Sequence, residues 1–408
     1  MPPKPFLHFV FEDTILDLQL SDRVQQIKPS PTLAVSKRAA ELKAAGKDII
    51  GLGVGEPDFD TPEHIKQAAI TAINNGFTKY TAVDGTPGLK KAIIAKLQRD
   101  NGLKYEANQI LVSCGGKQSF FNLSVAFINP GDEVIIPAPY WVSYPDMVVI
   151  SGGVPVIVET DDRTRFKITA AQLEAAITPK TKVVVLNSPS NPTGVAYSAD
   201  ELKALAEVLR KHPQVLIASD DMYEYIWWAD FKFENILTVA PDLYERTIVL
   251  NGVSKAYSMT GWRIGYAAGP AKLIGAMNKV QSQSTSNPTS ISQVAAEAAL
   301  NGGRDCVLPM VKAFKERHDF LIKGLNEIKG FSCIPADGAF YAYPNVKEAM
   351  KLKGCNNDIE FAELLLNEAG VALVPGSAFG TEGYMRLSYA TSMDVLTDAL
   401  ARIKKVMG

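Results

Sequence analysis

Asn251-Gly252-Val253-Ser254-Lys255-Ala256-Tyr257-Ser258-Met259-Thr260-Gly261-Trp262-Arg263-Ile264-Gly265 follows an apolar run, Thr247-Ile248-Val249-Leu250, that reads as a buried strand. One lysine stands at the strand's carboxyl end, and an arginine follows eight positions later with mostly small residues between. A lysine held there is poorly solvated, which lowers its pKa and frees the amine as a nucleophile toward an aldehyde. An arginine is always charged and fork-shaped, which suits a phosphate. The two groups together ask for a ligand that carries both.

Six further β-branched runs read as strands: Ile110–Val112, Glu133–Ile136, Val154–Val158, Val183–Leu186, Val215–Ala218 and Ile264–Ala267. Helical patterns lie between several of them. One is Lys117–Ile128, ended by Pro130-Gly131; another is Ala199–Lys211, opened by Ser198 with Glu201 three residues on, a capping box. This alternation predicts a mostly parallel seven-stranded sheet with helices on both faces. The link from Leu250 to Ile264 holds 13 residues and no helical pattern, so the last strand is expected to run antiparallel. Lys312–Lys329 reads as a long amphipathic helix ended by Gly330.

Ligands of open α/β sheets bind beyond the carboxyl ends of the strands. Distinctive residues cluster at those points. Ser113-Cys114-Gly115-Gly116-Lys117 leaves a strand and opens a helix, so its freed amides make an anion site. Asn191 precedes Pro192 and is pushed out of helical geometry, which lets its amide point into a cleft. Asp220 and Tyr223 end another strand, and Trp141 follows a third. Arg386, between Met385 and Leu387, needs a partner if buried, and a carboxylate would be a bidentate one.

Composition narrows the class. The chain has 408 residues, 47% hydrophobic and 21% charged, with a net charge of −2, so no basic field invites nucleic acid or an anionic membrane. No apolar run approaches the roughly 20 residues of a membrane helix. Cys114, Cys306, Cys333 and Cys355 show no paired spacing, which favours reduced thiols and a cytoplasmic location. His8, His64, His212 and His318 are scattered, so no metal site is expected. Residues 1–20 read as an arm or extension without the features of a secretory signal.

Taken in order, these motifs resemble the class I aminotransferases, from about Ser21 to the end of the chain. The resemblance implies the fold type I architecture, a large domain over residues 61–311 and a smaller α+β domain from residues 21–60 and 312–408. It implies pyridoxal 5'-phosphate as cofactor, held covalently by Lys255, which then serves as general base. Gly115, Gly116 and Arg263 would hold the phosphate, and Trp141 would stack on the ring. Asn191 and Tyr223 would meet the phenolic oxygen, while Asp220 would keep the ring nitrogen protonated and Asp221 point away. Arg386 and the Gly55 backbone would bind the substrate α-carboxylate, with Trp141 and Asn191 bordering it. Tyr80 resembles the residue that reaches the phosphate of a neighbouring subunit, which implies a homodimer with shared active sites. The chain departs from many relatives at Gly252, where they carry a serine.

Lys28-Pro29-Ser30-Pro31-Thr32 and the Gly116-Lys117 step resemble the bacterial aspartate aminotransferase subgroup, in which such a lysine and threonine meet the distal carboxylate. Aspartate with 2-oxoglutarate is therefore the leading pair; relatives of this subgroup also transaminate prephenate, and its use here stays open. An aromatic or kynurenine-type aminotransferase and a lyase of the same fold stay open as alternatives.

Overall fold

The computed structural model describes residues 18–27 and 31–408, with the backbone alone for residues 31–33. Strand β1 (Ile50–Gly51) comes first. Then β2 (Ile110–Ser113), β3 (Glu133–Ala138), β4 (Val154–Glu159), β5 (Thr181–Asn187), β6 (Leu216–Asp220), β7 (Thr247–Gly252) and β8 (Gly265–Ala268) form one sheet. Its order is β2-β8-β7-β6-β5-β3-β4, and β8 alone runs against its neighbours, as the short helix-free link predicts. Alternate residues of β5 face opposite ways, Val184 and Leu186 into one buried cluster, Val183 and Val185 into another. Both faces of the sheet are therefore covered, the condition under which parallel strands occur.

The remaining strands are short. β9 (Tyr341–Ala342), β11 (Val374–Pro375) and β12 (Met385–Ser388) form an antiparallel sheet, and β10 (Val371–Ala372) pairs parallel with β1. The Leu52 carbonyl accepts from the Ser388 amide at 2.7 Å, so the Gly53–Gly55 turn is tied to the strand that carries Arg386.

The helix at Ala199–Lys211 has the expected bounds and its capping box, Glu201 amide to Ser198 hydroxyl and Ser198 amide to Glu201 carboxylate. The helix expected over 312–329 runs instead over Leu308–Asn326. Pro309 costs nothing in the first turn, where its missing N–H has no role, so the helix begins earlier. At its end the Asn326 side chain bonds both the amide and the carbonyl of Cys333, at 2.8 and 2.9 Å, and so ties the following segment back to the last turn.

Candidate active site

All parallel strands of the large sheet deliver their carboxyl ends to one edge, and a cavity of about 360 Å³ opens there. Its lining includes Gly55, Gly116, Lys117, Trp141, Asn191, Asp220, Tyr223, Lys255, Arg263 and Arg386. Segments 200 residues apart are thus brought to one wall: the Lys255 amine donates to the Gly55 carbonyl at 2.7 Å. Thr32 has no described side chain, and Lys28–Ser30 lie outside the described residues. Tyr80 is 91% exposed and does not border the cavity of its own chain.

The glycine turn is shaped by close approach. Gly115 adopts φ +88°, and a Cβ there would come within 2.4 Å of the Arg263 guanidinium. Gly265 lies so near the turn that its Cβ would meet the Gly116 nitrogen at 2.3 Å. Arg263 is held over the turn by the carbonyls of Thr260 and Cys114, at 2.9 and 3.2 Å. At Gly252 a Cβ would stand 3.0 Å from the Ile264 carbonyl and 3.1 Å from the Gly265 Cα, so a side chain there would need the backbone of the adjoining strand to give by a few tenths of an ångström.

Charge is the cavity's clearest property. Lys117, Lys255, Arg263 and Arg386 line it against one carboxylate, Asp220, and none of the four makes an ion pair among the described residues. Burial first, then Arg386, Arg263 and Lys117, overcome the opposing pull of Glu56 and bring the Lys255 pKa down to about 8. Such an amine exchanges protons near neutrality, as a general base must. Lys117 sits at the rim with its amine 5.2 Å from the Trp141 ring centroid; lost hydration, then Arg263, lower its pKa. Arg386 is buried with Asn191 Oδ1 at 2.9 Å and the Gly53 carbonyl at 2.5 Å, while its Nε has no partner. A guanidinium so placed has carbonyl neighbours and unfilled demand for an anion.

Asp220 and Asp221 face opposite ways. Asp220 borders the cavity, and burial raises its pKa against hydrogen bonds from Tyr144 and the Met222 amide. Asp221 accepts from Ser219 and Asn235, each at 2.8 Å, away from the cavity. Burial, then Glu224, push its pKa up to about 8.

Three residues were not singled out from sequence. Tyr341 bonds the Tyr223 hydroxyl at 2.9 Å and lies under Arg386 at 4.8 Å, and its hydroxyl is what Gly55 must be a glycine to approach. Tyr144 reaches Asp220. Asn187 donates to the Asp220 carbonyl at 3.0 Å and accepts from the Asn191 amide at 2.9 Å, tying two strand ends together. Asn187 precedes Asn191 by four residues and Tyr144 follows Trp141 by three, so nearness to a singled-out residue was the available signal.

Residues 47–403 match the class I and II aminotransferases, and the chain belongs to that family. It is an aminotransferase of fold type I, in the subgroup of the aspartate enzymes. The aspartate/prephenate aminotransferase of Nitrosomonas europaea is 61% identical over 396 residues, covering 96% of this chain and all of that protein. The aspartate aminotransferase of Rhizobium meliloti superposes with a TM-score of 0.92 at 50% identity, covering 96% of this chain and 99% of that one. That of Thermus thermophilus, solved with maleate, gives 0.89 at 44% identity, covering 95% and 100%. No described helix is long and apolar enough to cross a membrane.

Proposed function

We propose that the chain is a pyridoxal 5'-phosphate-dependent aspartate aminotransferase, exchanging the amino group of aspartate or glutamate with 2-oxoglutarate or oxaloacetate. The observation that carries this reading is the set of four cations without carboxylate partners arranged around Asp220. The cofactor brings one phosphate and a dicarboxylic substrate brings two carboxylates, which are the anions such a set can satisfy. The Nitrosomonas relative's name and the maleate in the Thermus structure support a dicarboxylate, and that name supports prephenate as a further acceptor.

In this reading Gly115, Gly116 and Arg263 hold the phosphate, Trp141 covers the ring, and Asn191 and Tyr223 meet its phenolic oxygen. Pyridoxal phosphate supplies an aldehyde for the amino group and a ring that accepts electrons from the broken Cα–H bond. Asp220 holds the proton at the ring nitrogen. Arg386, with the Gly55 backbone and Asn191, would hold the α-carboxylate in the cavity that Lys255 also lines. Lys255, with its lowered pKa, takes the α-proton and returns it. Lys117 and Thr32 receive the distal carboxylate.

Residues 61–311 form the cofactor domain, and residues 21–60 and 312–408 the smaller one, a division supported by the β1–β10 pairing that joins the two distant segments. The functional unit is a homodimer in which Tyr80 serves the partner's phosphate. The exposed side chains of Ile70, Ile73, Phe77 and Tyr80 support an apolar contact face there. Four free cysteines suit the cytoplasm.

The test is a panel of aspartate, glutamate and phenylalanine against 2-oxoglutarate, oxaloacetate and prephenate. Aspartate with 2-oxoglutarate should turn over fastest, and a preference for phenylalanine would replace the acidic reading with the aromatic one. Lys255→Ala should still bind the cofactor yet lose at least about 10⁴-fold in kcat, because one amine is both covalent link and base. Transamination by that variant near the wild-type rate would overturn the central assignment.

A further inference from the structure

Tyr144 opens the helix Ser143–Ile150, three residues after Trp141, and is 1% exposed. Its hydroxyl donates to Asp220 Oδ2 at 2.5 Å, and the Met222 amide donates to Oδ1 at 3.2 Å, so each carboxylate oxygen has one donor. Its ring meets the Trp141 ring edge-on, centroids 5.1 Å apart at 88°, and packs on Phe120 at 4.8 Å. One side chain therefore touches both groups that would face a bound pyridine ring, the carboxylate at its nitrogen and the indole over its face.

We propose that Tyr144 is a positioning residue for transamination: its hydroxyl sets the orientation of the Asp220 carboxylate and its ring sets that of Trp141. The proposal rests on the pyridoxal phosphate reading. Asp220 stands at the end of β6 with two rotatable bonds and the open cavity before it. Among the described residues, only the Tyr144 hydroxyl and the Met222 amide donate to the carboxylate itself, since Asn187 bonds the Asp220 backbone. The kind of donor matters. A lysine or arginine here would neutralise the carboxylate and leave less attraction for a ring-nitrogen proton. A phenol supplies a strong hydrogen bond without a charge, and burial keeps it protonated by pushing its pKa far above the ordinary tyrosine value. It also opposes the burial that raises the Asp220 pKa. Tyr144 thereby favours the charged form of Asp220 against its burial and leaves one direction of the carboxylate free.

A tyrosine that only fills the core gives a different result from one that acts through Asp220, and a double-mutant cycle separates them. Tyr144→Phe, Asp220→Asn and the double variant are compared in kcat, in KM for aspartate, in affinity of the cofactor-free protein for pyridoxal phosphate, and in thermal midpoint. Tyr144→Phe keeps the ring and its volume, so the midpoint and KM should stay near wild type. kcat should fall about 10- to 100-fold, as expected for one hydrogen bond to a charged group, and cofactor affinity should fall with it. In the Asp220→Asn background the same change should cost less than about twofold, because no carboxylate remains to orient. Tyr144→Leu, which also removes the ring edge against Trp141, should bind the cofactor more weakly than Tyr144→Phe. Wild-type kcat and cofactor affinity in Tyr144→Phe, or an equal loss with and without Asp220, would overturn the positioning role while leaving the cofactor reading intact. Unchanged kcat and affinity in Asp220→Asn would overturn the cofactor reading, and this inference with it.

Discussion

Lys96 and Arg386 are 1% and 2% exposed, so both charges have been taken almost wholly out of water. Behind the sheet edge, Lys96 meets the Glu224 carboxylate and Asn101 Oδ1, the latter at 2.8 Å, and Glu224 in turn accepts from Asn101 and Asn251. That cluster closes on itself. In the cavity, Arg386 has two carbonyl oxygens, two aromatic faces at 4.8 and 4.9 Å, an unpartnered Nε and, among the described residues, no carboxylate. Burial accordingly lowers its pKa. A buried charge left without a counter-ion is costly unless something outside the chain completes it. Lys96 is satisfied within the fold, and Arg386 is left with room for an anion.

Exchanging each cation for an apolar residue should split stability from activity. Arg386→Leu should lower kcat/KM for aspartate by roughly 30-fold to several thousand-fold, the cost of losing one partner of a buried charge pair. Its thermal midpoint should hold or rise, since no carboxylate in the chain is orphaned. Lys96→Met should do the reverse: a denaturant titration should show a loss of about 3–5 kcal/mol from the stranded Glu224, with kcat per folded molecule unchanged. Lys96→Met/Glu224→Leu should recover most of that loss. A stable Lys96→Met with impaired kcat would erase the distinction.

The cavity's positive field can be read directly on Lys255. Burial disfavours the ammonium form, so its proton leaves at about pH 8 as the pH rises. Labelling of the cofactor-free protein with an amine-selective reagent should therefore climb through pH 8 at Lys255. An ordinary lysine, with a pKa near about 10.4, would then hold roughly a hundredfold less free amine. Mass spectrometry of the labelled peptide measures it, and a midpoint near 10 would mean that the cavity does not shift this amine.

Lys117 lies between the two extremes, at the rim and partly hydrated. Lys117→Ala should reduce efficiency for aspartate about tenfold more than for phenylalanine; equal losses would assign it to the phosphate or the fold. The smallest effect on activity is expected at Asp221. Asp221→Asn should leave kcat unchanged, as the side chain faces Ser219 and Asn235 rather than the cavity. Its native pKa is raised, so the unfolded chain releases this proton first and wild-type stability is eroded between about pH 4 and pH 8. Asparagine carries no such proton, and the variant should gain on wild type over that window in thermal scans.

The strands and the residues at their ends were legible because both signals are local. An apolar run is visible in four to seven letters, and a lysine, asparagine or aspartate that closes it is read in the same glance. Asp220 and Asp221 already strain that approach. They are adjacent and identical, and only the side to which each side chain turns separates them, so the choice between them rested on resemblance until the hydrogen bonds were seen.

Tyr144 and Tyr341 escaped altogether. Each sits among aromatic residues that read as core, and each bonds a partner 76 or 118 positions away. The sequence by itself determined the seven strands, the one antiparallel member, the glycine turn, the segments after strand ends that carry Lys255, Asp220 and Asn191, and the lone Arg386 among apolar neighbours, because hydrophobic periodicity and turn chemistry act over a few residues. Tertiary structure alone decided which charges would be paired and which left open, which tyrosine would hold Asp220, and where Gly55 meets Lys255. Those outcomes depend on distances between segments 76 to 200 residues apart, and such distances exist only after the sheet and its neighbouring strands have packed.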